Sequence, residues 1–245
     1  MKLHHRLIAF LLLLLALGVM ASRALGAQGS VGVAKGSDPR EAAASARDLR
    51  VVVSITRRRL WVVRDSADTL LSAPVAVGSG RTLRSGSRAW RFSTPRGIRS
   101  VVSKETDPVW IRPDWGYVEV ARAHHFRLDS VSAERPRPLA DGAKLVVRGR
   151  LVGVEKDSVF VPWPVDDEIV IDGTLYIPPF GTEHRALHGQ LGAYRLNLGD
   201  GVGIHGTPDH DSIGHAVTHG CMRLGDDDLA WLYANVAIGT RVYIY

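Results

Sequence analysis

The sequence predicts a mainly-β domain, a sandwich or barrel with one or two short helices, and three observations lead there. Short runs rich in valine and isoleucine recur along the chain. Glycines and prolines, 25 and 12 of the 245 residues, punctuate nearly all of them, which keeps each run at strand length. Only one stretch, 226–234, carries clear helical spacing.

The elements follow in order. The chain opens on a short basic stretch, Met1-Lys2-Leu3-His4-His5-Arg6, and then fifteen apolar residues, 7–21, with five consecutive leucines. That layout predicts an export signal. The run is shorter than the roughly 20 residues that cross a bilayer, so cleavage near Ala21, Ala24 or Ala27 is expected, with an uncleaved anchor in the membrane as the alternative. Residues 28–47 are rich in glycine, alanine and serine with almost no large apolar side chain to bury, and read as a flexible tether. The folded domain is expected at 48–245, long enough for one substantial core.

Within it, the runs 49–55, 60–64 and 70–77, separated by turns at 56–59 and 65–68, predict an antiparallel meander. Extended runs follow at 118–121, 145–154, 159–161, 169–171, 175–177 and 194–198. The segment 103–165, with charged stretches and the proline-rich pieces 135–138 and 161–164, reads as an insertion or lid and carries no recognisable chemical motif. In the helix at 226–234, the aspartates at its start can cap free amides and favour the dipole, while Leu229, Leu232 and Tyr233 recur at helical spacing. Gly239-Thr240 then turns the chain into a last strand, 241–245.

Of the 31 lysines and arginines, Lys2, Arg6 and Arg23 lie in the leader, leaving 28 against 25 acidic residues. This mild excess, scattered in short clusters near turns, excludes a concentrated nucleic-acid face and suits a solvated surface in an anionic cell envelope. Cys221 is the only cysteine. An exported chain normally spends cysteines in disulfide pairs, so a lone thiol is either buried and inert or chemically used, and its neighbours decide which.

Those neighbours are Gly203-Ile204-His205-Gly206-Thr207-Pro208, Ser212-Ile213-Gly214 and Thr218-His219-Gly220-Cys221-Met222-Arg223. A nearby imidazole can take the thiol proton and make the sulfur a strong nucleophile at an acyl carbon. Gly220 permits a tight turn in which backbone amides converge on a developing oxyanion. Chemistry alone proposes cysteine acyl transfer without choosing between His205 and His219 as the base. Geometry favours His205, since a residue two positions away in an extended chain cannot easily turn its ring onto the thiol.

The same three pieces, in this order and spacing, resemble the signature of the L,D-transpeptidase catalytic domain (YkuD-like) family. The likeness extends to 51–78 as the opening hairpins, to Ser93-Thr94-Pro95-Arg96-Gly97 as a Thr-Pro-x-Gly element, and to 226–245 as the closing helix, turn and strand. The unmatched middle is longer than the family usually carries and falls where members shape their substrate groove. The resemblance implies Cys221 as nucleophile and His205 as the base that deprotonates it and later handles the incoming amine, with the Gly206 carbonyl orienting His205. His219, Gly220 and Cys221 would offer backbone amides to the oxyanion, the His219 ring packing beside the thiol. Arg223, Thr218 and Thr207 are the candidates for substrate contact. It implies peptidoglycan stem peptides as partners, an envelope or periplasmic location, and neither metal nor organic cofactor. Crosslinking, carboxypeptidase trimming and coupling of a protein to the wall would all use such a site.

Three other classes of protein share parts of this pattern. A zinc hydrolase could draw on His205, His210, His215 and His219, yet no His-Glu-x-x-His occurs, and His210 and His215 fall among turn residues. A non-catalytic wall-binding module predicts a degenerate site, against the intact histidine, cysteine and arginine. A papain-like protease places its histidine far downstream of the cysteine, whereas 24 residues follow Cys221.

Overall fold

A computed structural model describes residues 38–45, 48–65 and 68–245; the expected leader, its cleavage region and residues 28–37 of the expected tether lie outside the described residues. The described chain is mainly β with three short helices: α1 (Pro39–Ser45), α2 (Asp114–Ala123) and α3 (Asp226–Asn235).

The opening meander forms as its alternation dictates. Arg50–Ser54 pairs antiparallel with Arg59–Arg64, which pairs antiparallel with Asp68–Pro74. Val51, Val53, Leu60 and Val62 are fully buried while Val52 and Trp61 between them are not, the two-residue period of a sheet with one face on the core. The last strand, Arg241–Ile244, joins parallel to Arg50–Ser54, and Gly97–Ser100 completes the sheet. Val242, Tyr243 and Ile244 are all buried, because α1 packs on this central strand from the outer side. Residues 39–45, read from the sequence as tether, thus form a helix that seats Ala43 against the domain.

A second sheet runs in the order Met222–Arg223, Gly203–His205, Tyr194–Asn197, Ser103–Thr106. Its inner residues Ile204, Met222 and Leu196, all with no exposed surface, share one core with Val51, Val53, Leu60 and Val62 and with Leu229 and Leu232 of α3. The sheets stay open, so the sandwich describes this fold and the barrel does not. Helix α3 begins at Gly225 with no side-chain cap; Asp226, Asp227 and Asp228 occupy its first turn, where they favour the dipole rather than close a cap.

The middle segment differs most from expectation. Ser103–Thr106 is an edge strand of the second sheet, paired antiparallel with Tyr194–Asn197, and so belongs to the core fold. Residues 118–121, expected as extended, lie in α2. Tyr117, Val118 and Ala121 form its buried face and pack with Leu175 and Leu128, so tertiary burial overrides the strand preference of the valines. Beyond it, Arg137–Pro138, Lys144–Arg148, Leu151–Lys156 and Val159–Pro162 build an antiparallel sheet with its own small core of Val131, Leu145, Val152 and Ile169.

Candidate active site

The site is built on two adjacent parallel strands. In their register Ile204 lies opposite Met222, and His205 opposite Arg223. Ile204 and Met222 are fully buried, so the alternation of a strand turns His205 and Arg223 to the other face together, with Cys221 in the turn just before Met222. On the neighbouring antiparallel strand Arg195 is the residue opposite His205, which adds a second guanidinium to that face.

The cysteine loop is fixed by hydroxyls rather than by sheet bonds. Thr94 Oγ1 accepts from the Gly78 amide at 2.8 Å and donates to the Gly220 carbonyl at 2.9 Å, tying the loop to the 77–94 region. Thr218 Oγ1 donates to the Cys221 carbonyl at 2.5 Å and accepts from the Gly220 amide at 3.2 Å. Gly220 has φ +137°, and an added Cβ would stand 3.3 Å from the Ser93 carbonyl oxygen; the turn therefore calls for glycine on both counts. At the end of the histidine strand, Gly206 lets the 191–192 backbone come close: a Cβ on Gly192 would stand 2.7 Å from the Gly206 Cα.

His205 is 5% exposed, and its Nδ1 lies 2.6 Å from the Gly206 carbonyl oxygen. A carbonyl only accepts, so Nδ1 carries the proton and Nε2 keeps a free lone pair. Burial pushes the imidazole down to about 4, with Arg223 and Arg195 adding to the effect and the Gly206 bond opposing it. The Cys221 thiol sits 3.4 Å from the Gly201 carbonyl oxygen. Burial raises it, against the Gly203 backbone bond and the charges of Arg195 and Arg223. Thiol and imidazole both rest neutral at pH 7. Among the described residues no group accepts from the Cys221 backbone amide, whereas the Gly220 amide is already held by Thr218.

His219 is held from the middle segment. Its Nε2 lies 2.9 Å from Glu119 Oε2, its ring stacks on Trp115 with centroids 4.0 Å apart, and Phe92 meets it edge-on at 4.4 Å. Burial lowers this imidazole, against the Glu119 charge and hydrogen bond; Arg223 and Arg81 lower it further. Arg223 Nη1 reaches Ser212 Oγ at 3.2 Å and Asp209 Oδ2 at 3.4 Å, so this arginine braces the 207–215 loop. Thr207 and Thr218 are 3% and 2% exposed, with hydroxyls bonded to the Asp209 amide and to the cysteine loop. Both are turned inward, and neither presents its hydroxyl to a ligand.

The structure thus sets His205 and Arg223 on one face, with Cys221 in the turn that leads into the Arg223 strand. Around them it adds Thr94, which the sequence marks without a role, and Arg195, Phe92, Trp115 and Glu119, which it does not mark. Thr94 lies inside the Thr-Pro-x-Gly element, a signal that was present. Glu119 is 100 residues from its partner, and nothing local marks it. Among the described residues no group of histidine, cysteine and carboxylate side chains is placed to hold a metal ion.

A mainly-β sandwich with a histidine on one strand and a lone cysteine in the turn leading into the adjacent strand defines the class of protein, and comparison with known proteins gives the family. Residues 48–244 match the L,D-transpeptidase catalytic domain family (YkuD), and the chain belongs to it. It is 44% identical over 54 residues to the probable L,D-transpeptidase ErfK/SrfK of Escherichia coli, a match covering 22% of this chain and 17% of that protein. It is 26% identical over 196 residues to the probable L,D-transpeptidase YcfS of the same organism, covering 79% of this chain and 43% of that one. The chain therefore spans less than half the length of these relatives. A solved L,D-transpeptidase from Xylanimonas cellulosilytica is similar at 16% identity and a TM-score of 0.43, over 82% of this chain and 62% of that one.

Proposed function

We propose that this chain is an exported peptidoglycan L,D-transpeptidase that works through a Cys221 thioester. The observation that carries the reading is the pairing of the His205 strand with the strand that Cys221 leads into, with Nδ1 of His205 committed to the Gly206 carbonyl and Nε2 left as a base. Because thiol and imidazole rest neutral, proton transfer to Nε2 accompanies attack instead of preceding it.

In the proposed cycle Sγ attacks the carbonyl carbon between the L-centre of a diamino acid and the terminal D-alanine of a tetrapeptide stem. The unengaged Cys221 amide meets the developing oxyanion. The C–N bond breaks, D-alanine leaves with the proton held by His205, and a thioester remains. A side-chain amine of a second stem then forms the new amide and releases the thiol, giving a crosslink between two diamino acids. The basic and apolar leader fits delivery to the periplasm or cell envelope, cleaved or as an anchor.

The full chain and its Cys221→Ala variant, incubated with disaccharide-tetrapeptides, would be read by mass spectrometry. Dimers lacking one D-alanine, made only by the unaltered chain, are expected. Tripeptide monomers alone would replace crosslinking with trimming. No cysteine-dependent product from any stem would overturn the wall-peptide assignment in favour of a binding module.

A further inference from the structure

His219 is fixed by a segment that carries no part of the cysteine motif. Helix α2 supplies both Glu119, 2.9 Å from Nε2, and Trp115, stacked on the ring at 4.0 Å. A carboxylate within hydrogen-bond distance of Nε2 selects the tautomer protonated there, and the lone pair is left on Nδ1. Among the described residues no group bonds Nδ1, and it is not one of the buried nitrogens left without a partner. His205 is the opposite case, buried and committed through Nδ1 to a backbone carbonyl. His205 and His219, the latter two residues before Cys221 in the chain, thus keep opposite nitrogens free.

We propose that Glu119 is a positioning residue that makes His219 a second base, dedicated to the acceptor amine, while His205 serves the thiol. The inference rests on the transpeptidase reading above. In the second half-reaction the neutral amine attacks the thioester carbon and the C–N bond forms. An N–H proton passes to Nδ1 of His219, the C–S bond breaks, and its electron pair stays on Sγ as a thiolate; the imidazolium then gives its proton to solvent, from which Sγ is reprotonated. The Glu119 carboxylate stabilises the transient positive charge on His219, as a charge-assisted hydrogen bond does. The negative charge that Glu119 brings to the His219 ring also favours approach of the cationic form of an amine acceptor before it loses its proton. The charged groups acting on His219 are Glu119 on α2, Arg223 on the strand that follows its loop, and Arg81 from the preceding hairpin region. Burial and the two arginines keep the ring neutral and able to accept.

The test uses the full chain and Glu119→Gln, which keeps an acceptor for Nε2–H and removes the charge. Thioester formation on Cys221 is followed by intact mass with a tetrapeptide donor, and its decay is then timed after addition of an amine acceptor. Aminolysis is expected to fall about 10- to 100-fold relative to acylation, the range of one charge-assisted hydrogen bond. The pH at which aminolysis reaches half its plateau should move down, since the carboxylate that raises the His219 pKa is gone. Histidine side-chain 15N spectra of the full chain should show the His219 midpoint falling while that of His205 holds. An unchanged partition, acylation and aminolysis falling together, or a stationary His219 midpoint would each overturn the proposal. An unaltered chain that never acylates would instead remove the transpeptidase reading, and this division of labour with it.

Discussion

Replacing Thr94 by valine should cost more than a buried methyl exchange, because its hydroxyl links the Gly78 backbone to the cysteine loop. Thr94 is 5% exposed, and Oγ1 both accepts from Gly78 at 2.8 Å and donates to Gly220 at 2.9 Å. Valine keeps the shape and removes both bonds, leaving a backbone N–H and a backbone C=O without partners. Each such group costs about 1–3 kcal/mol when buried. Gly78 and Gly220 are only half-buried, so the lower part of that range applies to each, and about 2–3 kcal/mol is expected in total. Urea unfolding should show a lowered midpoint with unchanged slope. The fold survives a loss of this size, but the loop loses its anchor, and Cys221 alkylation by iodoacetamide at fixed pH should accelerate. A loss under about 0.5 kcal/mol with unaltered alkylation would refute the claim that this hydroxyl positions the nucleophile.

Two further outcomes follow from the charges of the site. The folded His205 imidazole titrates near 4 and the unfolded one near 6.5, so the unfolded chain binds the extra proton first; stability is full above 6.5 and falls as pH drops toward 4. The loss is on the order of 3 kcal/mol, should appear in urea midpoints measured across that window, and should be largely absent in His205→Gln; an equal slope in the variant would assign it elsewhere. Arg223→Met removes a cation that favours the thiolate, so the midpoint of Cys221 alkylation against pH should move up, and no movement would show that this arginine serves only Asp209 and Ser212.

The legible parts of the sequence are those whose signals are local. The opening meander announces itself through period-two burial at Val51, Val53, Leu60 and Val62, and α3 through Leu229 and Leu232 at helical spacing. The cysteine, its glycine turn and its histidine strand are compact in sequence, so their chemistry can be read without a structure. Helix α2 is not legible in the same way: Val118 and Val120 favour strands, Gly116 weakens a helix, and the deciding contacts come from Leu128 and Leu175. Helix α1 is short, rich in alanine and buries only Ala43, a composition that a tether shares. The Glu119–His219 pair needs both the missed helix and a separation of 100 residues.

Register explains why the nucleophile and its base stay together. Ile204 and Met222, opposite one another and without exposed surface, anchor the two parallel strands in the core shared with α3. Slipping either strand by one residue would turn its site residues inward and expose an anchor, forfeiting about 2 kcal/mol of apolar burial at the anchor alone and placing a polar side chain in the core. The position of Cys221 relative to His205 is thus set by hydrophobic burial on the far side of the sheet, independently of any bond between them. The placement of His219 has another source, the docking of α2 through Trp115 and Glu119. Changes in the middle segment can therefore retune His219 while the thiol and its base keep their geometry, whereas a cavity beneath Ile204 or Met222 would disturb the nucleophile without touching a residue of the site.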